Sequence, residues 1–321
     1  MKDQFERTID YMRISITDRC DLRCRYCMPD GCDKVSMAQI LTYEEIERIC
    51  RVAAGLGIRR IRLTGGEPLV RLGCTDLVKH LKQTEGIDEV SLTTNGQILQ
   101  RYMDDLKAAG LDAINISLDT LDPDRYKYIT GGGCLERTLQ AIDLAIAAGV
   151  PTKINCLLQK GFNEDEIFRL AQFAFRKGIR LRFIELMPIG IADPSQGVSN
   201  EQVLRLLLEK WPDLEPDQRR HGNGPAVYYS RPGIPGGIGL ISAIHSRFCS
   251  GCNRIRLTSQ GQIKPCLCYE DGVDLKPYLK QSDQELEGAL KEAILKKPSG
   301  HCFTDKRFGS EEHRLMSQIG G

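Results

Sequence analysis

The chain has 321 residues, 44 basic and 43 acidic, for a net charge of +1. That length suits one large α/β domain, or one such domain with a smaller appendage, and the balanced charge excludes a sequence-independent nucleic-acid binder. The charged start, Met1 to Arg7, has no apolar h-region, and no apolar run nears the roughly 18–20 residues that cross a bilayer. The expected setting is therefore cytoplasmic, with neither membrane nor nucleic acid as partner. Thirteen cysteines in such a chain point to metal or catalysis rather than to disulfides.

Up to about residue 190 strand-like and helix-like stretches alternate. The strand candidates are Tyr11–Thr17, Ile58–Thr64, Glu89–Thr94, Asp112–Leu118, Pro151–Leu158 and Ile179–Leu186, each short and rich in Ile, Leu or Val. Thr42 to Glu45 reads as a capping box that opens a helix. Gly55, Gly57, Gly110, Gly149 and Gly178 read as residues just past helix ends. Gly131-Gly132-Gly133 lacks the lysine and hydroxyl of a P-loop and reads as a connection between helices.

Six βα units in series predict a parallel sheet, curled by right-handed crossovers. Six is short of eight, so the expected fold is α/β, a partial (βα)6 barrel of the TIM type over residues 1–190. Beyond it Pro, Gly and short strands dominate around Arg231–Gly239. A smaller α+β region is expected over 191–321.

Cys20, Cys24 and Cys27 have the spacing C-x3-C-x2-C. Three thiolates on one short loop reach three corners of a cubane iron–sulfur cluster and leave one iron open. That iron would chelate the amino and carboxylate groups of S-adenosylmethionine (SAM). A structural zinc loop is the bland alternative, but zinc wants a fourth ligand. A second set, Cys249, Cys252 and Cys266, has the spacing C-x2-C-x13-C. Here spacing leaves zinc and iron–sulfur open, because Cys268, His245 or His301 could complete a zinc site. Cysteines 32, 50, 74, 134, 156 and 302 share no spacing, and most of them read as small apolar residues.

Polar residues recur at the C-terminal ends of the successive strand candidates, on the face that carries the first cysteine loop. They are Thr64 to Pro68, Thr93 to Gly96, Ser117 to Asp119, Lys153 and Asn155, then Arg182, Glu185 and Met187. Arg13 and Arg62 lie inside strands, where a cation needs a partner. A triphosphate is one such partner and an internal salt bridge is another.

The segment from Arg13 through Cys20, Cys24 and Cys27 to Met28-Pro29 resembles the radical SAM superfamily, and within it the GTP 3′,8-cyclase family of molybdenum cofactor biosynthesis. The resemblance runs from Arg13 to Gly321. It implies two 4Fe–4S clusters, the second facing the substrate. It implies SAM contacts from Tyr26, Gly66, Ser117 and Met187. It implies GTP contacts from Arg13, Arg62, Thr93, Lys153, Arg254 and Arg256. The clusters and SAM would carry the chemistry, leaving no catalytic side chain assigned, and the 3′ hydrogen of GTP would be the one removed. A tail ending Gly320-Gly321 would enter the site. The implied partners are GTP, SAM, an electron donor and, functionally, cyclic pyranopterin monophosphate synthase; a homodimer stays open. Two other readings are a radical SAM peptide-modifying enzyme with an auxiliary cluster and a non-enzymatic zinc-binding protein.

Overall fold

The computed structural model describes residues 1–31, 35–245, 248–303, 312 and 314–319. The tail glycines Gly320 and Gly321, and Cys32, lie outside the described residues. The first half runs β1 (Tyr11–Ser15), α1 (Tyr43–Gly55), β2 (Arg60–Thr64), α2 (Cys74–Gln83), β3 (Glu89–Thr94), α3 (Met103–Ala108) and β4 (Ala113–Ser117). It continues through α4 (Pro123–Thr130), α5 (Leu135–Ala147), β5 (Thr152–Leu157), α6 (Ile167–Lys177) and β6 (Arg180–Ile184). All six expected strands are present. The capping box at α1 is present too: Thr42 accepts from the Glu45 N–H, and the Glu45 carboxylate accepts from the Thr42 N–H at 2.8 Å. Gly55 is the last residue of α1 rather than a residue beyond it, and Gly57 takes the left-handed position at φ +93.

The second half contributes α7 (Asn200–Lys210), β7 (Glu215–Pro216), β8 (Val227–Ser230), β9 (Gly237–Ile241), β10 (Arg254–Leu257), β11 (Gln262–Lys264), β12 (Val273–Asp274), α8 (Asp283–Leu295) and α9 (Met316–Ile319). The Arg231–Gly239 stretch is mostly the turn of the β8–β9 hairpin, not strand. Strand β9 lies parallel to β6, and β10 lies parallel to β1. The parallel run therefore has eight strands rather than six, ordered β10-β1-β2-β3-β4-β5-β6-β9, within a sheet of 12 whose edges are not hydrogen-bonded to each other. The barrel stays open.

Strand alternation divides the sheet into two chemistries. Met12, Ile14, Ile61, Leu63, Leu92, Ile114, Ile154, Leu181, Phe183 and Ile255 join one apolar cluster with the buried faces of α1 to α6 and α8. The intervening positions on the other face are Arg13, Arg60, Arg62, Ser91, Thr93, Asn115, Ser117, Lys153, Asn155, Arg180, Arg182, Arg254 and Arg256. Register places Arg256, Arg13, Arg62 and Ser91 side by side across β10, β1, β2 and β3. The hydrophobic core thus sits between sheet and helices, and the concave face is polar and cationic.

Candidate active site

The first cysteine loop follows β1 at the C-terminal edge of the sheet. It is held by main-chain bonds: the N–H groups of Arg23 and Arg25 donate to the carbonyls of Thr130 (2.8 Å) and Ile129 (2.9 Å) at the end of α4. The Cys27 and Met28 N–H groups both donate to the Cys24 carbonyl at 2.9 Å. Gly131 packs against this loop at φ +67, and a Cβ there would lie 2.7 Å from the Arg23 carbonyl oxygen. The glycine run does connect helices, as expected. Its first member also makes room for the cysteine loop, which local sequence did not reveal.

Burial pushes the Cys20 thiol up to about 12, with the Leu22 N–H opposing, and drives Cys24 upward as well. Thiols that resist ionisation this strongly become ligands only when a metal centre draws the proton off. Three thiols on one short loop are the donor set that a cubane takes at three of its irons. Cys20 Sγ also receives the side-chain amide of Asn95 at 3.9 Å, the kind of outer contact that tunes such a centre.

The glycine turn after β2 lies against the start of the same loop. The Gly66 N–H donates to Thr17 O at 2.8 Å and the Glu67 N–H to Arg19 O at 2.8 Å. A Cβ at Gly66 would collide with the Arg19 carbonyl. The Glu67 carboxylate is buried. It accepts from Leu69 N (3.1 Å), Thr94 Oγ1 (2.8 Å) and Asn95 N (2.7 Å), so it ties β2 to β3. Burial, opposed by these hydrogen bonds, lifts it to about 7. Tyr26 donates to Asp119 Oδ2 at 2.8 Å, and Asp119 also accepts from Leu157 N at 2.8 Å; burial brings that carboxyl to about 6.

A cavity of about 290 Å³ lies beside this loop. Tyr26, Ser117, Met187, Arg13, Thr93, Arg254 and Arg256 line it together with Cys249, Cys252 and Cys266. The structure thus brings ten of the sixteen expected site residues onto one wall system. Cys20, Cys24, Cys27, Gly66, Arg62 and Lys153 do not line it. Arg62 lies beside Arg13 in register and donates to Ser91 Oγ at 3.1 Å. Lys153 sits in register with Asn115 and Arg180, nearer the N-terminal end of the strands.

In the second cysteine set Cys266 is raised by burial, as Cys20 and Cys24 are, while Cys252 differs. Burial raises Cys252, but Lys297 and Arg254 outweigh it and bring the thiol to about 7. The Lys297 ammonium donates to Arg254 O (2.8 Å) and Pro265 O (2.6 Å), so it fixes β10 to the Cys266 segment. Among the described residues, no three His, Cys, Asp and Glu side chains are set to hold a single metal ion. A cubane takes its thiolates at separate irons. Of the zinc alternatives, His245 is bonded to Glu185 (3.0 Å). Cys268 Sγ lies 2.9 Å from Cys302 Sγ and accepts from the Cys302 N–H at 3.2 Å. Cys302 is therefore not simply a small apolar residue. Cys50, Cys74 and Cys156 are buried in the apolar core, as expected.

The cations of the concave face repel one another. Arg13 is pushed well down by burial and by Arg256, Arg62 and Arg254, with Tyr11 opposing. Arg182 and Arg256 are each lowered to about 10, chiefly by burial. Arg182 donates to Asn115 Oδ1 at 2.6 Å, and Asn115 reaches Thr93 Oγ1 at 3.4 Å. The buried Asn155 Oδ1 has no hydrogen-bond partner among the described residues. The sequence placed Arg182 among the polar strand-end residues without a ligand role, while Arg180 and Lys297 were not singled out. For Arg180, alternation with Arg182 was the available signal.

Two family models match the chain: the radical SAM superfamily over residues 14–174 and Molybdenum Cofactor Synthesis C over residues 179–303. The chain is 46% identical over 327 residues to the GTP 3′,8-cyclase of Moorella thermoacetica, and 44% identical over 327 residues to that of Alkaliphilus oremlandii. Both alignments cover 100% of this chain and 100% of the relative. Among solved structures, Streptococcus suis SuiB superposes with a TM-score of 0.67 at 15% identity, over 97% of this chain and 77% of that one. Native anSMEcpe with bound AdoMet gives 0.59 at 16% identity, over 97% and 92%. These two likenesses are of fold.

Proposed function

The chain belongs to the radical SAM superfamily and, within it, to the GTP 3′,8-cyclase family, and from that premise we propose that it converts GTP to (8S)-3′,8-cyclo-7,8-dihydroguanosine 5′-triphosphate in molybdenum cofactor biosynthesis. The observation that carries this reading is the concave face, where Arg13, Arg62, Lys153, Arg182, Arg254 and Arg256 gather beside two three-cysteine sets.

In this reading Cys20, Cys24 and Cys27 hold one 4Fe–4S cluster and Cys249, Cys252 and Cys266 hold the other. Held by Cys20, Cys24 and Cys27, a reduced 4Fe–4S cluster would supply the one-electron reduction of SAM on which hydrogen removal from GTP depends. The chain's own residues bind, orient and shield. Tyr26, fixed by Asp119, stands with Gly66, Ser117 and Met187 around SAM. Thr93 stands toward GTP. The arginines and Lys153 clamp the triphosphate. A bound polyanion relieves their mutual repulsion, so the free energy of tail binding orients the ribose. The apolar part of the wall, with Leu157, Ile184, Leu186 and Ile189, keeps water from the reacting atoms.

The division at about residue 190, an electron donor, a handover to cyclic pyranopterin monophosphate synthase and a cytoplasmic location belong to the same proposal. No helix among the described residues is long and apolar enough to cross a membrane. The test is anaerobically reconstituted protein given SAM, dithionite and GTP, followed by mass spectrometry. The reading expects 5′-deoxyadenosine and a GTP isomer of unchanged mass, each dependent on the other. Deoxyadenosine without loss of GTP would overturn the substrate.

A further inference from the structure

The loop from Asp217 to Ala226 joins β7 to β8 and reaches Lys153 and Glu89 on the concave face of the parallel sheet. At its root the Asp217 N–H donates to Tyr228 O at 2.8 Å. The Asp217 carboxylate accepts from Arg219 N (3.0 Å), Nε (2.8 Å) and Nη2 (2.8 Å). These bonds with Arg219, opposed by desolvation and helped by His221, hold Asp217 far below the usual carboxylate range. It pairs with the His221 ring at 2.7 Å, and that ring stands edge-on to Tyr228 with centroids 4.9 Å apart.

The far end rests on two other strands. The Asn223 side-chain amide donates to Glu89 Oε2 at 2.6 Å on β3, and the Lys153 ammonium of β5 donates to the His221 carbonyl. Gly222 lies between these anchors with φ +104, and a Cβ there would come within 2.7 Å of Lys153 Nζ. The backbone angle favours glycine, and an added Cβ would displace the Lys153 ammonium from its place.

Lys153 needs such a partner. Burial, then Arg182, Arg62 and Arg180, lower its pKa to about 7, with Glu89 counteracting. An ammonium in that field tends to lose its proton or swing away. A carboxylate partner would neutralise it. A main-chain carbonyl fixes its direction and leaves its net charge available to an anion.

We propose that this loop is a strap that positions Lys153 for the anionic tail of the substrate, with His221 and Gly222 as positioning residues and the Asn223–Glu89 bond as the catch. The inference rests on the GTP-cyclising reading and adds to it a segment that no motif marks.

The test is a double-mutant cycle on cluster-loaded protein, with GTP and SAM affinities measured by anaerobic calorimetry. Gly222→Ala and Lys153→Ala should each weaken GTP binding about tenfold or more. The double variant should match Lys153→Ala to within about twofold, and SAM affinity should stay at the wild-type value throughout. Asn223→Ala, which only opens the catch, should weaken GTP binding less, and that loss should also vanish in the Lys153→Ala background. This second cycle decides the matter should Gly222→Ala fail to fold. Losses that add fully, or an unchanged GTP affinity in the strap variants, would overturn the strap alone. Wild-type protein that binds SAM but not GTP would overturn the substrate assignment and the strap with it.

Discussion

Replacing Gly131 by alanine tests how the first cysteine loop is held. Gly131 follows α4 at φ +67, and an added Cβ would lie 2.7 Å from Arg23 O and 2.8 Å from Arg23 Cβ. A left-handed alanine costs about 1–2 kcal/mol. The close contact then drives the loop away from α4. That shift acts on the Arg23–Thr130 and Arg25–Ile129 bonds, 2.8 and 2.9 Å long, each worth about 1 kcal/mol. The combined effect, roughly 3–4 kcal/mol, falls on the segment that carries Cys20, Cys24 and Cys27 and spares the second cysteine set. After anaerobic reconstitution the variant should be folded by circular dichroism yet hold about four irons per chain instead of about eight. Its release of 5′-deoxyadenosine should drop at least about tenfold, because a misplaced ligand loop misplaces the site. Full iron content together with a wild-type rate of SAM cleavage would refute the reasoning.

Three further outcomes follow from the same geometry. GTP affinity should be greatest below about pH 7, where Lys153 is charged without its ligand, and should fall by up to about tenfold per pH unit above that value. The bound tail raises the pKa of Lys153, so binding takes up a proton there; Lys153→Arg should flatten the fall, and calorimetry from pH 7.5 to 9 reads both. Cys266→Ser should remove about four irons per chain while Cys268→Ser keeps them, as iron analysis of reconstituted protein will show. Gly288→Ala, on the exposed side of α8 with no atom within 4 Å of the added Cβ, should stabilise the chain by about 0.5–1 kcal/mol in thermal unfolding.

What the sequence disclosed was local. Ile14, Leu63 and Ile116 alternate with polar residues inside short runs, and this pattern located β1, β2 and β4 within a few residues. Both cysteine sets were readable because their spacing lies within one loop or segment. Pairings between distant parts of the chain were not readable. The register of Tyr11 with Arg254 and of Arg180 with Gly237 adds β10 and β9 to the two sides of the six-strand run, and nothing in either segment announces its partner. The same holds for Lys297 against Pro265, Cys268 against Cys302, and Gly131 against Arg23. Each contact depends on where the folded chain returns. No motif marks the loop from Asp217 to Ala226, and its bearing on Lys153 emerges only when β5 and β8 are placed together. By contrast, Arg180 was within reach, since it shares the face of Arg182, already noted at the strand end, by simple alternation.

The most direct test of the account uses GTP deuterated at C3′ with cluster-loaded protein, SAM and a reductant. The account predicts that 5′-deoxyadenosine carries the label and that the nucleotide product lacks it. Unlabelled deoxyadenosine formed while the deuterated GTP remains intact would contradict it.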